Sequence, residues 1–129
     1  MIKILISHTS TQPIYEQIKN QIKKQIIEGS LKAGEALPSI RVLAKELNVS
    51  VITTKRAYEE LEKEGFIITV PARGTFVAEI DREKIVGIKT KEVEEELEKV
   101  VLKAKELGIE LNKLIDMVDK FYKGDEFQK

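Results

Sequence analysis

Residues 39–64 read SIRVLAKELNVSVITTKRAYEELEKE, and the prediction of the fold starts from them. Its first half predicts a helix of about two turns, because apolar residues recur there with helical spacing after Ser39, a candidate N-cap. A second helix is predicted to follow Ser50, which is again of the type that caps a helix. Asn48 stands between them and tolerates the left-handed backbone of a tight turn. Two helices separated by such a turn indicate a helix-turn-helix unit.

The residues before this unit predict a further helix. Isoleucines recur every fourth residue after Pro13, with Thr11 as the expected cap and Gly29 as the expected stop. Residues 2–6 alternate loosely and are rich in Ile, so they are interpreted as a short strand. Residues 31–38 are interpreted as a turn-rich connection.

The residues after the unit predict a β-hairpin. The spacing of apolar residues changes from helical to alternating, which predicts strands over 66–70 and 75–79 joined by a turn at 71–74. A hairpin that follows a helix-turn-helix unit is a wing. The sequence therefore predicts a winged helix-turn-helix domain over residues 11–79.

Residues 80–129 are rich in Glu and Lys and predict two amphipathic helices, with a cap at Thr90 and a break at Gly108. Such a tail is too small to enclose a ligand pocket, but two helices per chain can form a four-helix core with a second copy. The fold class is thus mainly α with a small β-hairpin wing, followed by a two-helix dimerisation tail. The alternative is that the tail folds back on its own winged domain. The expected dimer contacts are Val93, Leu97, Val100, Val101, Ala104, Leu111, Leu114, Ile115, Val118, Phe121 and Tyr122.

Candidate DNA contacts are predicted at three places. The second helix of a helix-turn-helix unit enters the major groove through its N-terminal residues, while a helix start or a hairpin tip can hold phosphates. Hydroxyl groups suit phosphate contacts, and Arg can also donate twice to guanine. The alternatives are that the hydroxyl residues only cap a helix and that Arg56 faces the body of the domain. The candidates are Ser39 and Arg41, then Ser50, Thr53, Thr54, Lys55 and Arg56, then Arg73, Gly74 and Thr75.

The overall charge gives this prediction little support. The chain has 22 basic and 22 acidic residues and a formal net charge of zero, whereas DNA binding requires local positive charge. The placement of charge is more informative. The N-terminal part of the predicted recognition helix carries Lys55 and Arg56 and no acid. The acids lie towards its end, away from the expected DNA; they are Glu59, Glu60, Glu62 and Glu64.

Other function classes find little support. The chain has no Cys and one His, His8, and it has no metal-ligand spacing, phosphate-binding loop or nucleophile motif, so we expect neither an enzyme nor a cofactor or metal. No apolar run approaches the roughly 18 residues of a membrane span, and no signal peptide is recognisable, so we expect a cytoplasmic protein. A rival function is an adaptor that uses its winged helix to bind protein. Val51 and Ile52, which are apolar, favour that rival.

Six short motifs follow one another along the chain. They are Leu37-Pro-Ser-Ile-Arg41, Leu43-Ala44, Asn48-Val-Ser50, Arg56-Ala-Tyr-Glu-Glu-Leu61, Gly65-Phe-Ile67 and Arg73-Gly-Thr-Phe-Val77. Together they resemble the GntR family of regulators, over almost the entire chain. The segment from Arg56 to Gly65 and the short tail resemble its YtrA subfamily. The resemblance implies a homodimer that binds a palindromic operator, with contacts at Arg41, at the start of the recognition helix and at Gly74. It also implies repression, often of a transporter operon.

The chain departs from the family pattern at two places. Val51 and Ile52 stand where many members have a polar or basic residue, so those base contacts are not carried over. Ala72 replaces a Gly that is common in the wing, which is expected to stiffen the turn. The operator, the regulated genes, a small-molecule effector and the sign of regulation are left open.

Overall fold

The computed structural model describes residues 2–127 and forms two compact units, Met1–Ile85 and Val86–Lys129. The fold class is confirmed, because helices dominate and the strands form one small antiparallel sheet. The functional domains predicted at 11–79 and 80–129 stay a prediction, because the two units described by the structure are distinguished only by their compactness. In chain order the elements are α1 (Ile14–Glu28), β1 (Ala36–Leu37), α2 (Ile40–Leu47), α3 (Val51–Lys63), β2 (Ile67–Val70), β3 (Gly74–Val77), α4 (Arg82–Glu106) and α5 (Leu111–Phe127).

The helix-turn-helix unit forms as its local sequence predicts. The Ser39 hydroxyl accepts the Val42 amide at 3.1 Å and so caps α2, and the Ser50 hydroxyl accepts the Thr53 amide at 3.0 Å and caps α3. Asn48 has φ 56° and ψ 47°, the left-handed conformation expected of the turn. The Ser39 cap therefore marks where α2 begins, the conformation of Asn48 where it ends, and the Ser50 cap where α3 begins.

The core of the first unit lies where α1 and α2 pack on α3 and where α3 meets the sheet. Burying these apolar side chains is the main favourable contribution to folding, at about 1.5–3 kcal/mol for each large residue. The apolar faces predicted for the three helices are thereby confirmed. The largest fully buried apolar side chains are Ile18, Ile22, Leu31, Leu43, Leu61, Phe66, Ile67 and Val77.

The wing hairpin pairs with a third strand that the sequence did not indicate. The sheet has the order β1-β3-β2, and Phe76 of β3 is paired with Ala36 on one side and Ile68 on the other. Residues 31–38 were interpreted as a connection, which is wrong for the two residues of β1. Such a short strand has no alternating pattern, and only its pairing with distant β3 defines it.

Two predictions at the start of the chain are wrong. Thr11 does not cap α1, whose N-cap is Pro13 without a side-chain hydrogen bond. Residues 2–6 form no strand, because glutamines of α1 bind their backbone in place of a neighbouring strand. Glutamines four residues apart on a helix recur about every 6 Å, which matches alternate residues of an extended chain. These bonds join Gln25 Nε2 to the Lys3 carbonyl (2.8 Å), Gln21 to both backbone groups of Leu5 (2.6 and 2.9 Å) and Gln17 to both of Ser7 (2.9 and 2.8 Å).

The tail consists of two helices, as predicted, but their bounds differ. Thr90 lies inside α4, which begins at Arg82 after the Asp81 carboxylate accepts the Lys84 amide at 2.8 Å. Gly108 has φ 73° and separates the helices, as expected. Helix α5 continues to Phe127, the last described residue. Within residues 2–127, no helix combines the length and apolarity that a membrane crossing needs.

Candidate nucleic-acid interface

Helix α3 has one buried face and one exposed face. Its buried residues, Thr54, Ala57, Tyr58 and Leu61, fix the rotation of the helix against the domain. Ile52 and Lys55 therefore point away from the core, and both are exposed. The N-terminal half of the exposed face is free of acids, which is the arrangement that a DNA-reading helix needs.

The hydroxyl residues at the start of α3 form a cap, as the alternative interpretation proposed. Ser50 is exposed, and its hydroxyl also donates to Thr53 Oγ1 at 2.7 Å. A hydroxyl has one donor and two acceptor sites, so Thr53 keeps its donor for a phosphate oxygen, whereas the Ser50 donor is used within the cap.

Thr54 was predicted to contact DNA, and the structure contradicts this. Its side chain is fully buried, and Oγ1 donates to the Ser50 carbonyl at 3.1 Å. The sequence suggested Thr54 because of its hydroxyl group. The spacing from Ala57 and Leu61, three and seven residues later, places it on the buried face instead.

Lys55 and Arg56, adjacent in sequence, differ in their surroundings. The Arg56 guanidinium lies 3.8 Å from the centroid of the Tyr15 ring, and its Nε lies 3.3 Å from Glu60 Oε2. Arg56 thus contacts the body of the domain, although 60% of its side chain stays exposed. Lys55 has no ion pair with any side chain that the structure describes, those of residues 2–124, and is the more available cation.

The start of α2 is held against α3 by a buried tyrosine. The Tyr58 hydroxyl donates to the Pro38 carbonyl at 2.7 Å, one residue before the Ser39 cap. Burial raises the pKa of Tyr58, so the phenol remains a neutral donor. Exposed Arg41 lies in the first turn of α2, so this bond fixes the place of Arg41 relative to the recognition helix. Tyr58 was predicted to face inward, but its hydrogen bond was not foreseen.

The tip of the wing is exposed. The Arg73 amide donates to the Val70 carbonyl at 3.0 Å and closes the turn, and the side chain of Arg73 is exposed. Gly74 has φ 123° and Ala72 has φ 67°, so both positions that flank Arg73 lie in backbone regions that favour glycine. Thr75 is half-buried and pairs with Thr69 of β2, which leaves it less accessible than Arg73.

The acids at the end of α3 are paired with α1. Lys19 contacts Glu60 at 3.1 Å and also contacts Glu64, and Lys23 lies 3.2 Å from Glu64. The hydrogen bond to Glu64 raises the pKa of Lys19, and the hydrogen bond from Lys19 lowers the pKa of Glu60. The sequence did not reveal these pairs. These pairs neutralise acidic charge towards the C-terminal end of α3. The cations Lys55 and Arg56 lie in its N-terminal half.

The site offers hydrogen-bond donors and cations rather than metal ligands. Among the described residues there is no group of three or more His, Cys, Asp or Glu side chains that could hold a metal ion. Three exposed cations lie on three different elements: Arg41 on α2, Lys55 on α3 and Arg73 at the tip of the wing. Such an arrangement fits a polyanion.

The chain is similar to known proteins in both sequence and fold. The family model described as "Bacterial regulatory proteins, gntR family" matches residues 14–77. The HTH-type transcriptional repressor YtrA of Bacillus subtilis is 38% identical over 115 residues, which cover 89% of this chain and 88% of that protein. YtrA from Sulfolobus acidocaldarius, a GntR-family transcription factor, shares the fold with a TM-score of 0.57 and 39% identity, over 70% of this chain and 95% of that one.

A solved structure with DNA is also similar. AraR(DBD) in complex with operator ORX1 has a TM-score of 0.53 and 28% identity, and the match covers 60% of this chain and 96% of that one.

Proposed function

This chain belongs to the GntR family of bacterial regulatory proteins, and on that premise we propose that it is a repressor that binds a palindromic operator as a homodimer. The observation that carries the proposal is the acid-free, exposed start of α3, with Lys55 on it and with exposed Arg41 and Arg73 on the neighbouring elements. The chain is accordingly a transcription regulator and not an enzyme. The relatives that it matches are transcription regulators as well.

The proposed binding mode places the start of α3 in the major groove. Lys55 and Arg41 would contact base edges or phosphates, and the wing tip would lie along the backbone. The operator-bound AraR domain supports DNA as the partner of this fold. Thr54 is left out because it is buried, and Arg56 contributes only the guanidinium donors that Glu60 leaves free. The proposed contacts are Ser39, Arg41, Ser50, Thr53, Lys55, Arg56, Arg73, Gly74 and Thr75.

The tail supports the proposed homodimer. Most of the apolar residues predicted to form the dimer core are exposed in the single chain, from Leu97 at 48% to Tyr122 at 89%. Monomeric proteins rarely leave so extended an apolar surface uncovered, so a second copy of the tail is the occupant we propose. Val101 and Leu114 are half-buried, and Ala104 is buried in its own chain and is not available to a partner.

A repressor role is supported by the similarity to the YtrA repressor, which extends over most of both chains. The resemblance to YtrA-type regulators further supports a transporter operon as the controlled set of genes. An operator that overlaps the promoter of such an operon would allow the dimer to block transcription.

The DNA contacts are tested by binding measurements on a palindromic operator at fixed salt. Arg41→Ala is expected to weaken specific binding by ~1–3 kcal/mol if it reads a base. Arg82→Ala is the matched control, since Arg82 is an exposed arginine outside the proposed contacts. Binding of the unchanged protein should also weaken steeply as salt rises, because several phosphates are contacted. A flat salt response, or equal affinities for both variants, would contradict the proposal.

The dimer is tested by sedimentation of the Leu97→Lys, Leu114→Lys double variant. We expect monomers that bind the palindrome poorly, because two charges would be buried in the apolar contact. Leu5→Lys is the control, since Leu5 is 74% exposed and lies outside the tail. Dimers of the double variant would show that another surface joins the copies.

A protein-binding adaptor is the second candidate, and one observation favours it. Ile52 is 81% exposed and Val51 is 44% exposed at the start of α3, which is apolar surface of the kind that protein partners cover. The cations around this surface favour DNA instead. Absence of specific DNA binding, together with an unchanged fold, would favour the adaptor.

A further inference from the structure

Ile52 has an unusual position for an apolar residue. It is 81% exposed, and at about 100° per residue it lies about 170° around α3 from the centre of the buried face. No other residue of the first two turns of α3 projects more directly away from the core. An isoleucine in this place gains nothing from the fold of its own chain, so its role lies in what α3 contacts.

The surroundings of Ile52 indicate which partner covers it. Lys55 and Arg56 follow by three and four residues and so share its side of the helix. Ser50, two residues earlier at the N-cap, adds an exposed hydroxyl. An apolar side chain framed by cations and a hydroxyl complements a polyanion that carries a local apolar group, whereas an apolar protein surface would leave those cations buried without partners.

Building on the proposed DNA binding, we propose that Ile52 reads a thymine through its 5-methyl group in the major groove. Among the four bases, only thymine presents a methyl group there. An isoleucine side chain has no hydrogen-bond donor or acceptor. Against guanine, adenine or cytosine it would leave polar base edges desolvated and unpaired. Val51, which is 44% exposed and adjacent to Ile52, widens the same apolar surface.

The test uses uracil, which differs from thymine only by the missing methyl group. Each thymine of a selected operator is replaced in turn by uracil, and affinity is measured for the unchanged protein and for Ile52→Ala. We expect one thymine per half-site at which uracil weakens binding about fourfold, which equals about 0.8 kcal/mol, the value of one buried methylene-sized group. In Ile52→Ala the same replacement should have no effect, because the contacting side chain is gone.

Ile68→Ala is the control, because Ile68 is also an exposed isoleucine, at 48%, but lies on β2. This variant should keep the full uracil effect. Specific binding that is insensitive to uracil at every position would overturn the proposal for Ile52 and leave the proposed regulator intact. So would a uracil effect of equal size in Ile52→Ala. Failure of the unchanged protein to select any duplex would instead overturn the proposed function and this inference with it.

Discussion

Replacing Ala72 by Gly is expected to stabilise the protein, although this exchange usually has the opposite effect. Ala72 has φ 67° at the tip of the wing, in the left-handed region that side chains disfavour. An L-residue in this region costs about 1–2 kcal/mol relative to the right-handed one. Glycine removes that cost because it has no Cβ.

The expected gain is the difference between two terms. Glycine also makes the unfolded chain more flexible, which costs about 0.5–1 kcal/mol relative to alanine. Taken from the middle of each range, about 1.5 minus about 0.75 kcal/mol, the net stabilisation is about 0.75 kcal/mol. For a unit of 60–100 residues, 1 kcal/mol raises the melting temperature by about 4–8 °C, so a rise of about 3–6 °C is expected.

The assay is urea unfolding at a fixed protein concentration, since dimerisation makes the midpoint depend on concentration. A higher midpoint at an unchanged slope would report a change in stability alone. Ala33→Gly is the matched control, because Ala33 is also an exposed turn residue but has no positive φ. The control is expected to lose stability. If Ala72→Gly loses stability to the same extent, the wing does not hold the strained turn described above.

Three further predictions follow from single contacts. Tyr58→Phe should lower the free energy of unfolding by about 0.5–1.5 kcal/mol through loss of the 2.7 Å bond to Pro38, as measured by urea unfolding; an unchanged value would show that the bond is not formed. Thr54→Val should leave operator affinity unchanged in a binding titration, because the side chain is buried, and weaker binding would return Thr54 to the interface. Lys19→Met should make stability less sensitive to acid, because Lys19 lowers the pKa of Glu60 below the ordinary 4.5. The stability from a lowered carboxyl pKa is present above that ordinary value and is lost as the pH falls through the lowered one, so equal acid profiles for variant and parent would contradict the pairing.

The parts of the fold that depend on neighbouring residues were predictable. Ser39, Asn48 and Ser50 act through bonds and backbone conformations that span three or four residues, so their residue types sufficed to place the turn. The hairpin followed from the change in apolar spacing. In contrast, β1 is two residues long and exists through pairing with a strand nearly 40 residues away, which no local pattern encodes.

The site was predictable as a set of elements but less so as a set of side chains. Thr54 was selected for its hydroxyl group, whereas the helical phase set by Ala57 already assigned it to the core. The sequence left open whether Arg56 faces the body of the domain, because it does not show that Tyr15 of α1 lies beside Arg56. The pairing of Lys19 with Glu60 joins residues 41 positions apart, and sequence alone gives no register for such a contact.

Selection from random duplex DNA is the direct test of whether this chain reads a symmetric DNA site as a homodimer. We expect enrichment of a palindrome whose half-sites lie one helical turn apart, about 10–10.5 base pairs between centres, or a multiple of that spacing. Recovery of a single site without two-fold symmetry would contradict the dimer, and no enrichment over the starting pool would contradict specific DNA binding itself.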